Sequence, residues 1–328
     1  MELLEKNIDT ITKETPYIKE FLDTCGIQPD KTMGLGKYLD TLTEEFFEDI
    51  GMDKIQLISN MEGMVQLSTE DIPFKFSSIT IIGGHDKNHT PENIKLQLVP
   101  GMITSIVGPT GSGKSRLLAD IEWMAQGDTP TGRIIKVNDE KPDPELRFSL
   151  EHKLVAQLSQ NMNFVMDASA GDFITMHAES RMVKNVSEIV GEVIRQANLL
   201  AGEQFSSETP LTALSGGQSR ALMIADTAFL STSPVVLIDE IENAGIDRKK
   251  ALGLLVKKEK IVLMATHDPI LALMAEQRLV IKNGGIHKLI ITSENEKNNL
   301  SALEAIDNKM LALRNKLRSG ETIENTTF

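Results

Sequence analysis

One cysteine is all the chain contains. Cys25 alone cannot form an internal disulfide, and nothing in the cysteine usage points to an oxidising compartment. No apolar run approaches the ~18 residues that a membrane span requires. The first residues, Met1-Glu2-Leu3-Leu4-Glu5-Lys6, lack the basic end and apolar stretch of a secretory signal, so a cytoplasmic protein is expected. Positive charge is in deficit. Over 328 residues, 34 Lys and Arg stand against 47 Asp and Glu, a net charge of −13, which makes nucleic acid an unlikely partner through charge alone. Repeats and low-complexity blocks are missing too. What remains, 41% hydrophobic and 25% charged, is the composition of an ordinary globular chain, long enough for one large domain or two.

Residues 1–70 read as a small helical bundle. Thr15 and Pro16 suit the start of a helix carrying Ile18, Phe21, Leu22 and Cys25 on one face, with Gly26 as its stop. A second run places Leu39, Leu42, Phe46 and Ile50 together and ends at Gly51. A third extends from Asp53 to Met64. From about Phe74 the pattern changes. Ile94, Leu96 and Leu98 alternate as in a strand. Residues 102–107, 235–238 and 261–265 are short apolar runs of the kind that form buried parallel strands, with helical patterns between them. This alternation predicts an α/β domain over 74–290 with a mostly parallel sheet. The tail, 291–328, reads as a C-terminal helical extension. In it Leu303, Ile306, Met310, Leu313 and Leu317 share a face, which either docks on the same chain or pairs with a second copy.

Gly108-Pro109-Thr110-Gly111-Ser112-Gly113-Lys114-Ser115 satisfies G-x-x-x-x-G-K-[ST] between a predicted strand and a helical run that begins at Arg116, the context this motif requires. Its glycines let successive N–H groups close around phosphate, and the helix adds its positive end. Lys114 reaches the β- and γ-phosphates, and Ser115 is placed to ligate Mg²⁺. About 100 residues on, Ser215-Gly216-Gly217-Gln218 opens another helix, and it too suits an oxyanion at a capped N-terminus.

With these two loops in one chain, the sequence resembles the ATP-binding cassette (ABC) family of ATPases. Leu214 to Gln218 is similar to that family's signature motif, Val235 to Glu240 to its Walker B strand, and Ala265-Thr266-His267-Asp268 to its switch-histidine segment, all in family order. The resemblance implies an ABC-type P-loop fold with a helical subdomain over about 150–230. It implies ATP and Mg²⁺ as cofactors. It makes Asp239 a metal ligand, Glu240 the residue that polarises the attacking water and His267 a γ-phosphate contact. Because adjacent strand residues face opposite ways, Asp239 and Glu240 need not share a role. The glutamine that contacts Mg²⁺ or water is Gln160 or Gln157. Gln160 is preferred because residues 169–174 then fall where the family has its next conserved segment.

Two departures stand out. Ala244-Gly245-Ile246-Asp247 resembles the family's D-loop, a partner-facing segment, but Ile241-Glu242-Asn243 intervene after Glu240. The stretch from Phe74 to the phosphate loop holds no tyrosine to stack on adenine; Phe74, Phe76, His85 and His89 are the rings on offer. Met162, Met166, Met176 and Met182, in the helical subdomain, suit either a core or an adaptable partner surface. The family's architecture implies a homodimer, with ATP held between the phosphate loop of one copy and the signature loop of the other. Either a separate membrane permease or a soluble target is the partner, so the chain is cytoplasmic or peripheral at the inner membrane face. A slow nucleotide-dependent switch is the alternative to a motor. Long coiled-coil inserts and a second signature are lacking, which disfavours the chromosome-maintenance and twin-cassette branches.

Overall fold

The computed structural model describes residues 4, 6–7, 10–11, 18, 21–22, 24–27, 34–69, 76–143, 147, 153–159, 164–240 and 245–323, without the side chains of 63–69, 315 and 318. The chain divides into Met1–Lys75 and Phe76–Phe328.

In the first unit Ile18, Phe21, Leu22 and Thr24 are helical and the chain turns at Gly26; Thr15 and Pro16 lie outside the described residues. The apolar run from Leu39 to Ile50 is not one helix but two, α1 (Leu35–Leu39) and α2 (Glu44–Asp49). Thr43 makes the break. Its backbone is extended and its hydroxyl accepts from Phe46 N, while Glu44 and Glu45 occupy the first turn, where the helix dipole favours anions. α3 (Lys54–Thr69) continues past Met64. Asp53 and Gln56 start it by exchanging bonds: Gln56 N donates to Asp53 Oδ1 (2.7 Å) and Asp53 N to Gln56 Oε1 (3.0 Å). Ile18, Leu22, Ile27, Leu35, Leu39, Leu57 and Met61 are buried together.

The second unit runs β1 (Ile79–Ile82), β2 (Lys95–Leu98), β3 (Ile103–Val107), α4 (Lys114–Glu122), β4 (Ile134–Val137), β5 (Val155–Leu158), α5 (Ala170–Ser180), α6 (Val186–Leu200), α7 (Gly216–Phe229), β6 (Val235–Asp239), α8 (Arg248–Lys257), β7 (Ile261–Ala265), α9 (Pro269–Met274), β8 (Gln277–Lys282), β9 (Gly285–Ile291) and α10 (Glu294–Arg318). The main sheet has the order β5-β6-β7-β3-β8-β9, parallel except for the β8–β9 hairpin. An antiparallel sheet, β2-β1-β4, stands apart from it. The fold is α/β with a mostly parallel sheet.

Strand alternation sorts the core into two layers. Val235, Leu237, Ile261 and Leu263 join Leu117, Leu118 and Ile121 of α4 and the small sheet. Val236, Ile238, Val262 and Met264 join the helical layer, including Phe173, Ala197, Leu222 and Leu252. A sheet covered on both faces explains why β6 and β7 read as unbroken apolar runs. The span 150–230 is not wholly a helical subdomain, since Val155 and Leu158 are buried in β5, a strand of the main sheet; the helices begin at Ala170.

Candidate functional site

Three neighbouring strands deliver the candidate residues to one edge of the main sheet. In the order β6-β7-β3, Asp239 stands beside Ala265, and Ala265 beside Ile106. Parallel neighbours lie about 4.8 Å apart and end on the same side, so the segments that follow them emerge side by side. Thr266 N donates to Ile106 O (3.1 Å), stitching the His267 segment to the strand that feeds the phosphate loop.

Glycine shapes that loop. Gly111 and Gly113 have φ of +76° and +110°, and a Cβ at Gly113 would lie 2.8 Å from Gly284 Cα. Gly284 N donates to Ser112 O (2.7 Å), and Ser112 N to Pro109 O (3.1 Å), so the back of the loop is fixed while Pro109, Thr110 and Gly111 form an exposed crest. Lys114 Nζ donates to Gly108 O (3.0 Å) and lies across the loop. Ser112 Oγ is buried without a hydrogen-bond partner, a polar atom suited to a phosphate oxygen. Ser115 Oγ lies 3.4 Å from Asp239 Oδ2. One hydroxyl and one carboxylate beside a phosphate loop fit Mg²⁺, which usually takes one or two protein oxygens and completes its shell with phosphate and water. The residues present therefore fit the group.

Beside the loop, a cleft of about 280 Å³ is lined by Gly113, Arg116, His85, Lys87, Thr131 and Gly284. The rings of His85 and His89 lie 4.9 Å apart. Phe76 packs into the core, and Phe74 is outside the described residues. Asp86, also on the cleft, accepts from Thr90 N and from Asn88 N, which holds its carboxyl below the usual range.

Glu240 does not continue the strand. β6 ends at Asp239, and Glu240 turns to φ +51°, with its N–H on Ala265 O (3.1 Å) and its carbonyl accepting from Arg220 Nη1 (3.4 Å). Glu240 therefore lies outside the strand, in a left-handed turn, and strand alternation does not govern its direction. His267 is exposed at the edge, followed by Asp268, whose Oδ1 caps α9 through Ile270 N (2.7 Å). Gln160 lies outside the described residues. Gln157 is turned to Glu122, and with its amide oriented nitrogen-first, as hydrogen bonding to a carboxylate requires, it reaches an oxygen at 2.6 Å. Glu122 closes α4 eight residues beyond Lys114, about 12 Å along the helix, so Gln157 points away from the loop.

At the second loop, Ser215 caps α7. Its hydroxyl accepts from Gln218 N (3.3 Å) while Gln218 Oε1 accepts from Ser215 N (2.8 Å), and Gln218 Nε2 donates to Glu203 O (3.3 Å). Gln218 is thus turned back into its own fold. Ser215 and Gly216 are exposed, and a Cβ at Gly216 would meet nothing within 4 Å. Gly245 approaches Gly217, and Asp247 caps α8 through Lys250 N (3.0 Å), so its carboxylate serves the helix; Ala244 lies outside the described residues. Met166, Met176 and Met182 are exposed, not core. Met162 lies outside the described residues.

Sequence reasoning passes over Gly284 and Arg220. Gly284 has a readable signal, because Asn283-Gly284 between two apolar runs is a hairpin turn, and both residues have positive φ. Arg220, buried under Glu240, has none.

A family model described as ABC transporter matches residues 91–243. An uncharacterized ABC transporter ATP-binding protein of Methanocaldococcus jannaschii is 52% identical over 250 residues, 76% of this chain and 95% of the relative. The aliphatic sulfonates import ATP-binding protein SsuB of Bacillus subtilis is 30% identical over 217 residues, 62% of this chain and 78% of that one. Among solved structures, cbiO1 from Clostridium perfringens, part of the ABC transporter complex cbiONQ, has a TM-score of 0.52 at 19% identity, covering 74% of this chain and 97% of that one, a likeness of fold.

Proposed function

The chain belongs to the ABC transporter ATP-binding family, whose members hydrolyse ATP, and we propose that it binds Mg-ATP between two copies of itself and hydrolyses it to drive a conformational cycle. The carrying observation is the convergence of Ser115, Asp239 and the His267 segment at the ends of β3, β6 and β7. Ser115 and Asp239 would hold Mg²⁺, with Gln160 as a further ligand. When bound, the ion neutralises charge that builds on the β- and γ-phosphate oxygens. Gly108 to Ser115 wrap the triphosphate with backbone N–H groups, and Lys114 moves from Gly108 O onto it. Arg116 lines the cleft in which His85 offers a ring face to the base. Glu240, held in its turn by Ala265 and Arg220, orients the attacking water, and His267 contacts the γ-phosphate.

Ser215 and Gly216 face outward, with Gly217 half-buried behind them, which suits a nucleotide held by a second copy rather than by their own. Asp247, tied to its own helix, lends the partner-facing loop its shape, and Gln218 does the same for the signature loop. Closure of two copies completes each site and excludes water.

Among the described residues no helix is long and apolar enough to cross a membrane. Since SsuB is an import ATP-binding protein and cbiO1 part of a transporter complex, a separate permease is the partner we favour over a soluble target. The exposed methionines of the helical layer offer it an adaptable surface, and the chain works in the cytoplasm at the inner membrane face. Residues 1–70 are an added domain and 291–328 an extension of this ATPase.

Single-turnover hydrolysis with protein in excess over ATP tests the reading. The wild type releases phosphate, whereas Glu240→Gln keeps ATP bound and slows release on the order of a hundredfold or more. If the wild type releases none, the motor gives way to a switch.

A further inference from the structure

α8 begins with Arg248-Lys249-Lys250, three cations in the first turn of a helix, with no acidic residue in that turn. The helix dipole disfavours cations at this end. Each is compensated from outside the helix. Lys250 pairs with Asp247 (3.1 Å), and Lys249 with Glu304 of α10 (2.6 Å). Arg248, the least exposed of the three, uses both arms of its guanidinium: Nη1 binds Asp268 Oδ2, and Nη2 binds Asp307 Oδ2 of α10 (2.8 Å). Glu304 and Asp307 are three residues apart, hence on one face of α10.

We infer that Arg248 is a positioning residue for the His267 segment and that it is itself held in place by the C-terminal helix. This rests on the reading of His267 as a γ-phosphate contact. Asp268, the residue after His267, spends one carboxylate oxygen capping α9 and the other on Arg248. Its N–H donates to Thr266 Oγ1 (3.0 Å), and Thr266 N is fixed to β3. The backbone on both sides of His267 is therefore held, on one side by the sheet and on the other through Arg248. A planar fork suits two carboxylates; a lysine there has one point charge to share between them. α10 is anchored at its base, where Glu296 caps it with Ser293 and pairs with Arg278. Beyond Asp307 it extends past the fastened stretch and exposes Met310, Leu311 and Leu317. Whatever displaces α10 pulls Asp307 from Arg248 and loosens the segment that carries His267.

Hydrogen exchange and ATP turnover of the full-length chain test this with Asp307→Asn, a half-exposed site whose loss leaves the core intact. Amides 266–271 are expected to exchange about tenfold faster, since a local tie is lost while the global fold stands. Turnover is expected to show kcat about three- to tenfold lower with KM for ATP within about twofold, the pattern of an interaction made in the transition state. Asp307→Glu restores both; Arg248→Lys behaves like Asp307→Asn. Unchanged exchange at 266–271, with loosening confined to α10, overturns the inference. Faster exchange there with unchanged kcat supports the tie and instead removes His267 from the chemistry.

Discussion

Lys260 is buried with its ammonium between two backbone carbonyls, Ser231 O (2.6 Å) and Ser233 O (2.9 Å), in the turn that leads into β6. Burial, with some help from Lys258, lowers its pKa to about 8. A neutral amine keeps two hydrogens, enough for both carbonyls. Between pH 8 and 10.5 the unfolded chain holds this proton and the folded chain does not, so stability rises with pH across that window. Below it both states are charged and the burial penalty is present in full. In chemical denaturation, the wild type should gain on the order of 2 kcal/mol over this window relative to Lys260→Met, after allowance for partial solvent access. A parallel course for the two proteins would refute it. At this scale the sequence is uneven. Lys114, Ser115 and Asp239 are legible because a motif states their chemistry. The turn of Glu240 is not, because a left-handed glutamate leaves no mark in composition or period.

Among the elements, α4 carries the phosphate loop and is held by a buried ion cluster. Arg133, fully buried, donates to Glu92 through Nε (2.9 Å) and Nη2 (2.5 Å), to Asp120 of α4 through Nη1 (2.8 Å) and to Gly284 O through Nη2 (3.0 Å). It thus joins the small sheet, α4 and the hairpin turn that supports Ser112. Burial pushes the Glu92 carboxyl up, but the bonds and charge of Arg133 and the Ile286 and Gly84 amides outweigh it and leave the group below its usual range. Arg133→Met strands two buried carboxylates and should cost about 3–5 kcal/mol in urea unfolding at pH 7. Replacing Arg133, Glu92 and Asp120 together by apolar residues should cost far less. Equal costs for the two changes would mean that shape, not charge, holds the cluster. No sequence reading finds it, for its members lie 41 and 13 residues apart with no shared period. The strands are the opposite case. Buried on both faces, β6 and β7 show their extent as apolar runs to within a residue, and β3 does so around a buried Thr104-Ser105 pair. The apolar spacing from Leu39 to Ile50 misleads because a capping threonine can interrupt a helix without disturbing its 3-4 period.

At the scale of the whole molecule, the proposed function makes the two glycine loops of one chain half-sites. The phosphate loop sits at the ends of the central strands, while Ser215 and Gly216 face solvent at the head of α7. If each nucleotide is gripped by two copies, defects in the two half-sites complement when the copies differ. Lys114→Ala disables the loop, and Ser215→Arg fills the opposite cradle; each protein alone should be inactive. In an equimolar mixture allowed to exchange subunits, half of the dimers are mixed, and each mixed dimer has one intact site out of two. Steady-state ATPase should then recover to about a quarter of the wild-type rate per chain, as two-fold symmetry dictates. A site completed within a single chain predicts no recovery at any ratio. Titrating one variant into the other separates these outcomes further, because recovery through mixed dimers peaks at equal amounts, whereas slow activity of either variant alone would change linearly with its share.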